Sequence, residues 1–254
     1  MGSEDHLALV APLRERAEQT GIFSDFDGTL APIVDDPAAA RPLPGVDRLL
    51  GRLGRRYGRV GVISGRPVAF LHSALGDDGL LLYGLYGLER RRGGRIEVDP
   101  DVAPWRPIVA EVADRAEAAA VAAMVERKGL SVVLHFRTDP TQAAAVRGWV
   151  EQEAARTGLA VLSSRKAFEL RPPSPADKGT ALAEAATGLA AVCFVGDDAG
   201  DLPAFDALDD LALSGAYTLR VAVMSSEMPE ELGERADHVV VGPEGVRVLL
   251  EDLI

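Results

Sequence analysis

Short, uninterrupted apolar runs alternate along this sequence with alanine-rich stretches of helical pattern, and this alternation limits the possible folds. The apolar runs that we predict as strands are residues 21–24, 59–63, 80–85, 191–195, 219–223 and 238–241. Continuous apolar strands are typical of a parallel sheet that helices cover on both faces. The predicted helices are residues 7–19, 46–57, 67–75, 178–187 and 202–208. The sequence therefore predicts an α/β protein with a doubly wound, mostly parallel sheet of the Rossmann type.

The middle of the chain has a different pattern. Residues 90–105 are rich in Arg, Gly and Pro and indicate a domain boundary. After this boundary we predict a helix over 108–125, a strand within 129–137, a helix over 141–157 and a hairpin that turns near 163–166. The proline-rich residues 171–179 return the chain to the first pattern. We therefore predict a core, residues 1–102 and 176–254, that is interrupted by a small inserted α/β domain, residues 103–175.

Charge and cysteine content exclude several classes of protein. The 39 acidic residues outnumber the 27 basic ones and give a net charge of -12, whereas nucleic-acid binding needs a basic face. We expect no membrane span, because the sequence lacks an apolar run of about 18 residues. A single cysteine, Cys193, and a first stretch without a secretory pattern favour the cytoplasm. The sequence sets no oligomeric state, and a monomer is compatible with it.

Four separate stretches place polar residues at or near the ends of predicted strands. They are residues 25–29 (DFDGT), 64–66 (SGR), 178–179 (KG) and 196–201 (GDDAGD). In parallel sheets, ligands bind outside the carboxyl ends of the strands. We therefore expect these four groups to converge on one crevice.

Asp25 and Asp27 are the most informative pair in this set. Alternate residues of an extended strand point the same way, so both carboxylates can serve one bound group. An aspartate can attack phosphorus and form an acyl phosphate, while a second carboxyl group transfers protons. Gly28 permits a sharp turn that brings backbone amides close to phosphate oxygens. A solvated turn or a calcium loop would also contain Asp-x-Asp-Gly, but residues 25–36 lack the oxygen ligands in the middle of a calcium loop.

Two carboxylates and a phosphate need a cation beside them. Mg²⁺ suits a site with one or two carboxylates and a substrate phosphate, and Asp197 is placed to be its distal ligand. Asp201 can face the same way if a helix begins there. Lys178 offers a point charge for the phosphate, and Ser64 offers a hydroxyl donor.

The stretches DFDGTLAPIVDDP, VISGRP, DKGTAL and FVGDDAGDLPAF, in this order, resemble the haloacid dehalogenase (HAD) superfamily and, more narrowly, the trehalose-6-phosphate phosphatase family. The resemblance implies a HAD-like core with the inserted domain as its cap. It implies Asp25 as the nucleophile and Asp27 as the general acid and base. Mg²⁺ would be held by Asp25, the backbone carbonyl of Asp27, and Asp197. By the same resemblance, Ser64 and Lys178 bind the phosphoryl group, and Asp198 and Asp201 support the metal and the lysine.

Two stretches of the inserted domain, VERKGLSVVLHFR and SRKAFELRP, resemble cap segments of the same family that bind the sugar. The candidate substrate-binding residues by this resemblance are Glu126, Lys128 and Glu169, and one of Arg165 and Lys166. Gly65 and Arg66 of the SGR motif are further substrate-binding candidates. The implied activity is the hydrolysis of trehalose 6-phosphate, a small-molecule sugar phosphate, in trehalose biosynthesis. Two alternatives stay open: the same reaction on another ester, such as sucrose phosphate or a glycosyl phosphoglycerate, and a non-catalytic sugar-phosphate sensor.

Overall fold

The computed structural model describes residues 3–76, 79–92, 94–122, 124–164, 166–225 and 228–254. The strands in chain order are β1 Thr20–Ser24, β2 Arg59–Ile63, β3 Leu81–Gly84, β4 Glu89–Arg92, β5 Arg95–Val98, β6 Met124–Arg127, β7 Val132–His135, β8 Ala160–Ser164, β9 Ala167–Arg171, β10 Ala191–Gly196, β11 Tyr217–Met224 and β12 His238–Val241. The α-helices are α1 Ser3–Glu15, α2 Val46–Gly54, α3 Val68–Leu75, α4 Arg106–Ala119, α5 Ala143–Thr157, α6 Lys178–Ala185, α7 Leu202–Leu213, α8 Glu230–Arg235 and α9 Gly242–Asp252.

The chain forms two compact units. One, which we call the core unit, contains Met1–Ile96 and Ala176–Ile254, and the other, the cap unit, contains Glu97–Pro175. This division into compact units does not test the predicted limits of the inserted domain, residues 103–175, which therefore stay a prediction. None of the helices in the described ranges combines the length and the apolar character that crossing a bilayer would require.

The large sheet has the strand order β12-β11-β10-β1-β2-β3-β4-β5. The strands from β12 to β3 pair in parallel, and β4 pairs with β3 antiparallel. Successive side chains of one strand enter different apolar layers: Ile22 packs in the layer that includes side chains of α1, α2, α3 and α9, and Phe23 in the layer that includes side chains of α6 and α7. Because both faces of the sheet are covered, the strands are apolar throughout, which confirms the predicted fold class.

The cap unit is a four-stranded antiparallel sheet of order β6-β7-β9-β8. Val132, Leu134, Phe168 and Leu170 pack in one apolar cluster with side chains of α4 and α5. Alternate residues of a strand point to opposite faces of its sheet, so the residues between these four lie on the other face. This second face carries the charged side chains described below.

The predicted helix over 108–125 is wrong at its end. The helix α4 ends at Ala119, Ala120 takes a left-handed conformation (φ 46), and Met124–Arg127 form β6. The run of alanines hides this stop, because a good helix former occupies the capping position. The helix predicted over 7–19 likewise ends at Glu15. The stretch 90–105, predicted only as a boundary, contains part of β4 and all of β5.

Candidate active site

The polar groups at the strand ends lie along one edge of the large sheet. Asp25 follows β1 directly, and its backbone N–H donates to the carbonyl of Val195 in the neighbouring strand β10, at 2.9 Å. Ser64 follows β2 and donates its backbone N–H to the carbonyl of Tyr83 at 3.0 Å. Asp197 follows β10. Parallel pairing of β10, β1 and β2 therefore sets these three loops side by side.

Lys178, at the first position of α6, lies at the centre of a buried charge cluster. Its Nζ is 2.8 Å from Oδ2 of Asp25 and 2.7 Å from Oδ1 of Asp201. Carboxylate oxygens of Asp25, Asp197 and Asp201 all lie within 4.8 Å of one another. All four side chains are buried. One cation thus faces three acidic groups.

The excess of acidic groups over cations shifts the pKa values of the cluster. Burial, and then the charge of Asp25, raises the pKa of Asp197 to about 9. Burial raises the pKa of Asp201 to about 7 against the opposing effect of Lys178, and it also raises the pKa of Asp25. Burial disfavours the charged form of Lys178, but Asp201 and Asp25 outweigh it and hold the lysine pKa well above its usual value. The lysine stays charged, and the surplus of carboxyl groups favours the uptake of a proton or the binding of a second cation.

Asp197 is held by the turn that follows Asp27. Oγ1 of Thr29 donates to Oδ1 of Asp197 at 3.1 Å. Gly28 has a φ of +78, and a Cβ placed on it would lie 2.0 Å from Oδ2 of Asp197. Glycine at position 28 is therefore required by backbone conformation and by space. The role of Thr29 was not predicted, although its place in the DFDGT stretch could have suggested it.

Asp201 organises the loop after β10. Its Oδ2 accepts the backbone N–H groups of Asp197 and Asp198, at 2.8 and 3.1 Å. Asp198 is exposed and accepts the N–H of Gly200 at 2.8 Å, which caps the turn into α7. A Cβ on Gly179 would lie 2.3 Å from the carbonyl oxygen of Pro203, so glycine lets α6 approach α7 and brings Lys178 to Asp201.

Asp27 and Arg66 form a bidentate ion pair. Nε and Nη2 of Arg66 donate to Oδ2 and Oδ1 of Asp27 at 2.6 and 2.7 Å. Oγ of Ser64 accepts the backbone N–H of Arg66 at 3.4 Å. Arg66 is thus bound to Asp27, the predicted general acid and base.

Tyr86 is a further residue at this edge that the sequence did not indicate. It has a left-handed backbone (φ 60), and its N–H donates to the carbonyl of Ser64 at 3.0 Å. A Cβ placed on Gly65 would lie only 2.7 Å from the ring of Tyr86, so the ring packs directly against this glycine. Positive φ at a bulky residue is rare and costs energy, so the packing of this loop against the SGR motif maintains it.

Two of the predicted sugar-binding residues of the cap unit lie on the sheet face opposite to α4 and α5. Glu126 and Glu169 flank Val133 in register. Glu126 contacts Nε2 of His135 at 2.9 Å, and Nζ of Lys128 is 3.8 Å from Oε2 of Glu169. Glu169 also accepts the hydroxyl of Ser131, which the sequence did not indicate.

The two remaining candidates of the cap unit are at the hairpin. Lys166 is exposed in the turn between β8 and β9, as the predicted hairpin requires. Arg165 lies outside the described residues.

Comparison with known proteins shows the family. The family model described as Trehalose-phosphatase matches residues 23–234. The trehalose-phosphate phosphatase of Mycolicibacterium paratuberculosis is 36% identical over 203 residues, which are 74% of this chain and 51% of that protein. The chain therefore spans about half the length of the curated relatives it matches.

Solved structures show the same fold. The C-terminal domain of the trehalose-6-phosphate phosphatase from C. albicans has a TM-score of 0.75 at 22% identity, over 97% of this chain and 94% of that one. A haloacid dehalogenase-like hydrolase from Bacteroides thetaiotaomicron has a TM-score of 0.61 at 16% identity, over 92% and 99%. The chain thus has a HAD-like fold with a separate small antiparallel sheet. Together with the matched family model, these findings show that the chain belongs to the trehalose-phosphatase family.

Proposed function

We propose that this protein is a Mg²⁺-dependent phosphatase that hydrolyses trehalose 6-phosphate to trehalose and phosphate. The observation that carries the proposal is the buried contact of Lys178 with Asp25, beside Asp197, in a member of this family. A cation held against a buried carboxylate at the carboxyl edge of a parallel sheet is suited to phosphoryl transfer.

Asp25 is the nucleophile in this proposal. Its Oδ1 accepts the N–H of Phe26 at 2.6 Å and its Oδ2 contacts Lys178, so the carboxylate has a fixed orientation. It attacks phosphorus, the bond to the sugar oxygen breaks, and Asp27 gives that oxygen a proton. Water then attacks the aspartyl phosphate, Asp27 takes its proton, and phosphate leaves. Lys178 and Ser64 hold the phosphoryl oxygens through both steps.

The residues present fit a divalent cation. Carboxylate oxygens of Asp25, Asp197 and Asp201 lie within 4.8 Å of one another, and Asp201 is the most engaged of the three, because its oxygens accept from Lys178 and from two backbone amides. A purely oxygen donor set suits Mg²⁺. We propose that Asp25, the carbonyl of Asp27 and Asp197 hold Mg²⁺. When bound, the ion neutralises carboxylate and phosphate charge.

The cap unit would recognise the sugar. Glu126 and Glu169 share one sheet face, Lys128 lies just after β6 with its Nζ near Glu169, and the three offer donors and acceptors for hydroxyl groups. We propose that they bind trehalose hydroxyls with the help of Arg165 or Lys166, and that residues 103–175 act as the cap domain. The buried free thiol of Cys193 supports a cytoplasmic location for the reaction.

A panel of phosphate esters tests the proposed function. We expect kcat/KM for trehalose 6-phosphate to exceed that for sucrose 6-phosphate, glucosyl phosphoglycerate and glucose 6-phosphate by about tenfold or more. EDTA should abolish the release of phosphate and added Mg²⁺ should restore it. Preference for another ester would contradict the substrate assignment, and binding without turnover would favour a sensor.

The raised pKa of Asp197 predicts how the metal-free protein responds to pH. A carboxyl group with a folded-state pKa of about 9 stabilises the fold at low pH, and this contribution is lost as pH rises toward that value. We expect the melting temperature in EDTA to fall between about pH 5 and pH 9, and Mg²⁺ to reverse the fall. Asp197→Asn should flatten the slope in EDTA and remove the effect of Mg²⁺. The exposed-residue variant Asp35→Asn serves as the control and should keep both. An equal slope in Asp197→Asn would contradict the prediction.

A further inference from the structure

We propose that Arg66 is a positioning residue for proton transfer, which acts on the reaction through Asp27 and does not bind the substrate. The proposal rests on the proposed function, because it takes Asp27 as the general acid and base. The sequence suggests Arg66 as a substrate-binding candidate, whereas the contacts of its guanidinium group argue for a different role.

Each of the three nitrogens of the guanidinium group is engaged within the core unit. Nε and Nη2 bind the two oxygens of Asp27, and Nη1 donates to the carbonyl of Pro37 at 2.7 Å. The Arg66 side chain is only 9% exposed, whereas that of Asp27 is 34% exposed. The three bonds and the low exposure of the side chain restrict the approach of a substrate oxygen to Arg66, while the carboxylate of Asp27 is more accessible.

Aromatic contacts fix the arginine further. The guanidinium group lies over the ring of Phe70, 4.6 Å from its centroid. The Phe70 ring meets that of Phe26 edge-on at 5.5 Å, and Phe26 lies between Asp25 and Asp27 in the chain. The contacts thus close a ring that runs from Asp27 through Arg66, Phe70 and Phe26 back to Asp27. A side chain held by a planar fork, a stacked ring and a backbone carbonyl has little rotational freedom.

This arrangement decides where Asp27 can exchange a proton. A carboxylate has about four lone-pair positions, two on each oxygen, and Arg66 occupies one on each. The remaining positions face away from the guanidinium group, and they are the ones available to the sugar oxygen and to water. Proton transfer depends strongly on the direction and distance of the group that performs it. Arg66 therefore has the contacts required to orient the carboxylate of Asp27 toward the sugar oxygen and water.

The test compares two esters in the first turnover of the full chain with Mg²⁺. One is the alkyl phosphate ester that the wild-type protein hydrolyses fastest, and the other is p-nitrophenyl phosphate, whose leaving group departs without a proton. We expect Arg66→Gln to slow the alkyl ester about 100-fold with KM unchanged within about threefold, and to slow the aryl ester less than about fivefold. Arg66→Lys should recover only part of the rate, because lysine cannot make the bidentate pair.

A double-mutant cycle shows whether Arg66 acts through Asp27. In an Asp27→Asn background, Arg66→Gln should cause no further loss with the alkyl ester. Full additivity, an equal loss for both esters, or a raised KM with unchanged kcat would overturn the proposal. Preference of the wild-type protein for an alkyl ester other than trehalose 6-phosphate would overturn the proposed substrate and leave this comparison intact. Phe70→Leu, which removes the aromatic contact and keeps the ion pair, should slow the alkyl ester less than Arg66→Gln does and leave the aryl ester unchanged, and thermal unfolding of each variant checks the fold.

Discussion

Asp25→Asn should reduce phosphate release from trehalose 6-phosphate by about 10⁴-fold or more, because an amide cannot form the aspartyl phosphate. Binding should survive, since Lys178 and Ser64 remain to hold the phosphoryl group. The fold should survive as well. Lys178 keeps its bond to Asp201 at 2.7 Å, and the variant removes one of the buried carboxylates that repel each other. The measurement is the steady-state release of phosphate, together with substrate binding followed by calorimetry.

Two further observations make the Asp25 prediction specific. In a rapid acid quench, the wild-type protein should carry a phosphoryl group on the peptide that contains Asp25, and Asp25→Asn should carry none. The control Asp35→Asn changes an exposed aspartate in the same loop and should keep full activity. Residual activity of Asp25→Asn above about 1% would show that another group attacks phosphorus.

The fold was predictable because its signals are local. Strands buried on both faces must be apolar throughout, so β1, β2 and β10 stand out in the sequence. Their carboxyl ends lie together in any parallel sheet, which is why the sequence alone indicates that Asp25, Ser64 and Asp197 lie at one edge. The strand β6 was missed because Ala120 ends α4 in a left-handed conformation that alanine rarely adopts.

The partners inside the site were less predictable, because they depend on packing between distant segments. The contact between Lys178 and Asp201 requires the close approach of α6 to α7 at Gly179, which a short stretch of sequence does not reveal. Arg66 is a substrate-binding candidate in the sequence, whereas its geometry is set by Asp27 and Phe70. Thus residue types at strand ends indicate the chemistry, and side-chain packing decides which partner each group takes.

Lys178→Met should cause both the loss of activity and a large loss of stability. The lysine side chain is 3% exposed and contacts Asp25 and Asp201, so its removal leaves buried carboxylates without their cation. Removing one partner of a buried ion pair costs about 3–5 kcal/mol. We expect kcat/KM to fall by about 10³-fold or more, because the phosphoryl oxygens lose their point charge.

The pH dependence of Lys178→Met separates this electrostatic cause from a packing defect. Burial raises the pKa values of Asp25 and Asp201 even beside the lysine, and without it both carboxyls bind protons more readily in the folded state. Stability from such groups is present at low pH and lost as pH rises, so the deficit in melting temperature should grow between about pH 5 and pH 8. The double variant Lys178→Met/Asp201→Asn should regain stability without activity, and the exposed-residue control Lys166→Met should retain wild-type stability. A deficit that is the same at every pH would instead indicate that methionine packs poorly between α6 and α7.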